Sequence, residues 1–108
     1  TGRLFEETHR THQQSRERYG IPIETYYPDA GAIQQFVTER GINSIYASVQ
    51  NRKTCCHIRK VEPLSRALQN TDVWISGVRR EHSESRGELP FGLWDAGRNI
   101  VALYPLAD

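Results

Sequence analysis

Hydrophobic and polar positions along this chain change period several times, and the changes divide it into elements. Residues 4–19 contain no Gly or Pro, are rich in Glu, Gln and Arg, and bring Leu4, Phe5, Thr8 and His12 near one face, so a helix is predicted. Gly20 closes it. Residues 21–27 carry alternating β-branched and aromatic side chains before Pro28 and predict a strand. Asp29 then stands where an N-cap belongs, ahead of a second helix to about Arg40 with Ile33, Phe36 and Val37 as its apolar stripe and Gly41 at its end.

Residues 42–49 fit a short helix or a loop. Residues 61–69 predict another helix, with Pro63 early and Leu64, Ala67 and Leu68 following, and two adjacent cysteines lie just upstream. The run 72–77 is short, β-branched and stopped by Gly77, as expected of a buried strand in a parallel sheet, which makes Trp74 a core residue. Residues 79–88 read as an exposed polar loop. Apolar runs at 89–94 and 99–103, separated by Asp95-Ala96-Gly97-Arg98, predict a hairpin, with Trp94 also expected in the core.

The order helix, strand, helix, helix, strand, hairpin belongs to an α/β layer fold opened partway along its sheet. Thr1-Gly2 directly ahead of a helix has the character of a strand-to-helix turn, where ligands of open α/β sheets bind. At 108 residues the chain fits one small domain. A mean hydropathy of −0.66 is polar for a compact domain, so part of the apolar surface is expected to find its contacts elsewhere. Self-association through an unpaired sheet edge is one such route.

With 14 Lys and Arg against 13 Asp and Glu, there is no global attraction to nucleic acid or to an anionic membrane. No run approaches the ~18 apolar residues of a membrane span, and no leader is visible, so a cytoplasmic protein is expected. The two cysteines, Cys55 and Cys56, are neighbours, which does not fit a secreted disulfide framework.

The chemistry concentrates in Arg52-Lys53-Thr54-Cys55-Cys56-His57-Ile58-Arg59-Lys60, two thiols among four permanent cations and a histidine. Thiolate is the form that ligates iron or zinc and attacks electrophiles, and positive surroundings suit it. Two half-buried structural cysteines are the plainer alternative. For Arg59 and Lys60 the plainer alternative is a solvated helix end. His9, His12, His57 and His82 stand at no recognised ligand spacing.

Cys55-Cys56-His57-Ile58-Arg59-Lys60-Val61-Glu62-Pro63-Leu64, followed by Leu68, resembles the Cys-Cys-x-x-Arg-Lys-x-x-Pro-Leu-x-x-x-Leu signature of adenylylsulfate (APS) reductases, within the PAPS/APS reductase family. Gly77-Val78-Arg79-Arg80-Glu81-His82-Ser83 is similar to that family's Gly-x-Arg-Arg-x-x-Ser loop, Thr1-Gly2-Arg3-Leu4-Phe5 to its Asp-Thr-Gly-x-x-Phe turn, and Pro105-Leu106-Ala107-Asp108 to its Asn-Pro-Leu-Ala-Asp-Trp segment, with Tyr104 in place of Asn.

The resemblance implies an incomplete adenine-nucleotide alpha-hydrolase-like (Rossmann-like) domain with a parallel sheet and flanking helices. It implies a thioredoxin-dependent enzyme that reduces adenylyl sulfate to sulfite and AMP. Cys55 and Cys56 become two of four ligands to a [4Fe-4S] cluster, and Lys60, Gly77, Arg79, Arg80 and Arg86 become substrate-binding. The attacking cysteine of the family belongs to a C-terminal tail, so no catalytic residue is expected within these residues, and the isolated chain is expected to be inactive. Paired cluster cysteines favour APS over the 3′-phosphorylated PAPS. Two other readings are a PAPS-reductase-like or ATP-pyrophosphatase-like nucleotide-binding module without redox chemistry, and a domain that binds zinc or a partner through the cysteines.

Overall fold

The computed structural model describes residues 1–79, 81 and 89–107. The chain divides into two compact units, Thr1–Arg66 and Ala67–Asp108, each described by itself.

The first unit is helical. Helix α1 (Glu6–Tyr19) begins with Glu6 and Glu7 and ends with Arg16 and Arg18, charges that oppose the helix dipole at both ends. Gly20 stops it at φ 61°, a left-handed conformation that costs glycine least, with its N–H donating to the Arg16 carbonyl at 3.0 Å. Helix α2 (Ala30–Arg40) starts where the sequence places it: Asp29 accepts from the Ala32 N–H at 2.8 Å, satisfying one of the orphan donors of the first turn. Gly41 closes α2, its N–H on the Val37 carbonyl at 2.8 Å.

A 3-10 turn at Ser44–Tyr46 resolves the ambiguous stretch after Gly41. Helix α3 (Val49–Cys56) follows, capped by the Ser48 hydroxyl, which accepts from the Asn51 N–H at 3.0 Å. The helix does not stop at the cysteines. It widens into a π-helical turn over His57–Val61 and tightens again into α4 (Glu62–Ala67), giving one helical run from 49 to 67. The thiols therefore sit within a helix rather than ahead of one, as the sequence had suggested. Pro63, without an N–H, is accommodated near the start of α4.

Polar links knit this unit as much as its small core. Phe36, Ser44, Cys55 and Pro63 are its buried residues. Arg40 lies over the Phe36 ring at 5.6 Å and donates to Asn51 Oδ1 at 2.9 Å, and Asn51 in turn donates to the Ser44 carbonyl at 3.2 Å. Arg66 reaches back to Glu62 and to the carbonyl of Tyr27.

The second unit is a small mixed sheet in the order β1-β3-β2. Strand β1 (Val73–Ile75) runs parallel to β3 (Ile100–Leu103), with Val73 opposite Val101 and Ile75 opposite Leu103. Strand β2 (Gly92–Asp95) runs antiparallel to β3, completing the predicted hairpin. Alternation along β3 buries Ile100 and Ala102 and leaves Val101 out. Asn99 takes φ 57° at the end of the turn, a region that Asn tolerates better than most residues. Asp95 fixes that turn: Oδ1 accepts from the Arg98 N–H at 3.1 Å, and Oδ2 from its guanidinium at 2.8 Å.

Three expectations change. Residues 21–27 form no ladder with any described strand, because β structure requires a partner for its backbone groups and sequence pattern supplies only the side chains. The sheet is mixed rather than purely parallel, since β2 returns through a four-residue turn too short for a parallel crossover. Strand β1 is not buried: Ile75 is 67% exposed and Val73 is exposed too, while Trp74 is half-buried and Trp94 58% exposed, so neither tryptophan is a core residue here. No residue of α1 is buried.

Candidate functional site

Helical spacing assembles the site. Arg52, Cys55, Cys56, Arg59 and Lys60 follow i, i+3, i+4, i+7, i+8, the pattern that keeps side chains on one face of a helix. All five, with Lys53, line an open cavity of about 430 Å³, whose other wall is Thr1, Arg3 and Ile45. One helical stripe thus supplies both thiols and three cations, and Lys53 beside it adds a fourth. This periodicity is readable in the sequence once the cysteines are assigned to a helix; placing them upstream of one concealed it.

The two thiols differ. Cys55 is buried, at 8% exposure, and Cys56 is exposed; neither is in a disulfide. Consecutive Cα atoms stand about 3.8 Å apart, below the roughly 4.4 Å that an ordinary disulfide needs, so helical backbone at this point keeps both sulfurs available as donors.

The cations are not neutralised by carboxylates. Among the described residues the ion pairs are Arg66–Glu62, Arg79–Glu81 and Arg98–Asp95, none at this cavity. Such an excess of positive charge around two sulfurs suits an anionic occupant. Arg3 is turned to a structural purpose, donating to the Ile42 carbonyl at 2.7 Å and to Asn43 Oδ1 at 3.0 Å. Arg59 donates to the Thr1 carbonyl at 2.9 Å across 58 positions of sequence, and its Nε is buried with no partner. It is not the solvated helix end that composition alone allows.

As donors for an iron–sulfur cluster, two sulfurs on one helical face with cations around them fit half of a four-thiolate site. Among the described residues no group of three or more His, Cys, Asp and Glu converges, so the set is two.

Of the sequence-predicted site residues, Cys55, Cys56 and Lys60 are brought to the same cavity. Gly77 and Arg79 belong to the second unit. Gly77 follows β1 and is exposed, with open space where a Cβ would stand. Arg79 is exposed and contacts Glu81 Oε1 at 3.3 Å. Arg80 and Arg86 lie outside the described residues. No helix of the described residues is long and apolar enough to cross a membrane.

Known proteins match along the whole chain. It is 49% identical over all 108 residues to an adenosine 5'-phosphosulfate reductase of Burkholderia cepacia, and 43% identical to proteins of that name from Sinorhizobium fredii and Allochromatium vinosum. The alignments cover all of this chain but only 43%, 43% and 42% of those relatives, so it spans less than half their length. The phosphoadenosine phosphosulfate reductase domain model matches residues 1–108, and the chain accordingly belongs to that family.

Proposed function

We propose that this chain is part of a thioredoxin-dependent APS reductase, converting adenylyl sulfate to sulfite and AMP, and that Cys55 and Cys56 contribute two thiolates to a [4Fe-4S] cluster. The observation that carries the reading is the single helical face that presents both sulfurs amid Arg52, Lys53, Arg59 and Lys60. The names of the relatives, all adenosine 5'-phosphosulfate reductases, support APS over PAPS as substrate.

Bound there, a cluster supplies thiolate-ligated iron whose charge and potential respond to nearby cations. The protein's own part is electrostatic and positional. Lys60 is a point charge for the phosphosulfate on the sulfur-bearing face. Arg79, Arg80 and Arg86 are proposed to bind the phosphosulfate oxygens, and Gly77 to let the nucleotide approach backbone closely. The attacking cysteine lies elsewhere in the full-length enzyme. In this reading the fold is a portion of a Rossmann-like domain, whose parallel pair is β1 and β3.

The test replaces the aligned segment of the Burkholderia cepacia relative by these 108 residues and measures iron, acid-labile sulfide and sulfite release with reduced thioredoxin. The expected chimera binds iron and sulfide, releases sulfite from adenylyl sulfate, and loses iron in Cys55→Ser and in Cys56→Ser. A folded chimera that retains zinc instead of iron, or turns over PAPS alone, refutes the reading.

A further inference from the structure

The unexplained group at the site is Arg59. A guanidinium is costly to desolvate, yet this one is partly buried, has no carboxylate partner among the described residues, and leaves Nε buried without an acceptor. Its one hydrogen bond goes to the carbonyl of Thr1, 58 positions away, in the turn that forms the opposite wall of the cavity. That turn is shaped to receive it. Gly2 adopts φ +66°, a conformation that favours glycine, and a Cβ built there would stand in ordinary contact with Arg59 NH1, at 3.5 Å. Arg3 secures the same turn to Ile42 and Asn43.

We propose that Arg59 is a positioning residue: it holds the Thr1-Gly2 turn against the cysteine-bearing helix and thereby keeps Cys55 covered while Cys56 stays open. The proposal rests on the reading of this cavity as the functional site only for its purpose; the coupling of Arg59 to the turn stands on geometry. It separates the cations of the cavity by role. Lys60, Arg52 and Lys53 present charge to an occupant, whereas Arg59 fixes the wall through NH1 and leaves Nε buried without a partner. The π turn over His57–Val61 is centred on Arg59, and a π insertion changes the direction of the side chains it carries relative to a plain α-helix.

The experiment is alkylation of the metal-free 108-residue chain by N-ethylmaleimide, with the labelling of Cys55 and Cys56 counted separately by mass spectrometry. The ratio of the two rates within one molecule cancels effects that act on both thiols. In Arg59→Met, which keeps the apolar stem, the Cys55:Cys56 ratio rises roughly tenfold, equivalent to about 1.4 kcal/mol and the low end for a hydrogen bond with a charged donor. Arg59→Lys restores part of the protection. Arg52→Met removes a cation from the same cavity and leaves the ratio unchanged. Gly2→Val leaves every charge in place but displaces the turn and raises the ratio; it remains decisive if Arg59→Met fails to fold by circular dichroism. An unchanged ratio in both Arg59→Met and Gly2→Val, or an equal rise in Arg52→Met, overturns the proposal. Because neither iron nor substrate enters the measurement, its failure is distinct from failure of the reductase reading.

Discussion

The helical unit and the sheet unit are stabilised by different means. In Thr1–Arg66 few side chains are buried, and distant segments are tied by guanidinium and amide hydrogen bonds: Arg59 to Thr1, Arg3 to Ile42 and Asn43, Arg40 to Asn51. In the second unit a backbone ladder sets the register, and Ile100, Ala102 and Ala107 are buried with almost no exposure. The lesson is that the chemically interesting part is held by directional polar contacts that leave cations and thiols accessible. The sheet relies on its ladder and on the packing of those three residues, while Ile75 and Trp94 stay exposed.

If that contrast is right, the largest single loss comes from the sheet. Ile100, 1% exposed, should cost about 3 kcal/mol when replaced by Ala, read from urea unfolding followed by circular dichroism. A loss under about 1 kcal/mol would show that the sheet is not close-packed around it. Hydrogen exchange sharpens the contrast along the chain. Amides of β3 should be protected longest and those of α1, which buries nothing, should exchange early; slow exchange in α1 would mean that its exposed face is covered in solution, as by a second copy.

Next in size is a local cap. Asp29→Ala should cost about 1 kcal/mol by removing the acceptor for the Ala32 N–H, and Asp29→Asn should recover most of it. The smallest effect is the pH response of the hairpin turn. The hydrogen bond from the Arg98 side chain, reinforced by its backbone N–H and charge, holds the Asp95 carboxyl below its ordinary value of 3.8. The interaction is therefore fully present above 3.8 and fades as pH falls through the lower folded value. The stability difference between the chain and Asp95→Asn should shrink on acidification below 3.8; a difference that grows would reverse the assignment.

Much of this was legible. Gly20, Asp29 and Gly41 mark helix ends because caps are local chemistry, decided within four residues. The hairpin was legible because Asp95 to Arg98 carry their own turn bonds. The cysteine motif was legible as a string and the family followed from it. The shared helical face of Arg52, Cys55, Cys56, Arg59 and Lys60 is not announced by the local pattern, because 49–56 has no apolar stripe to mark a helix.

By itself, the sequence determined those elements whose instructions lie within a turn or two of the residues they act on, together with membership of the PAPS reductase family through a contiguous motif. The tertiary structure alone decided that residues 21–27 stay outside the described sheet and that the tryptophans lie largely outside the core. It also decided that Arg59 reaches the carbonyl of Thr1. Each of these depends on which partner stands opposite, and a partner 58 positions away leaves no trace in the local pattern of the chain.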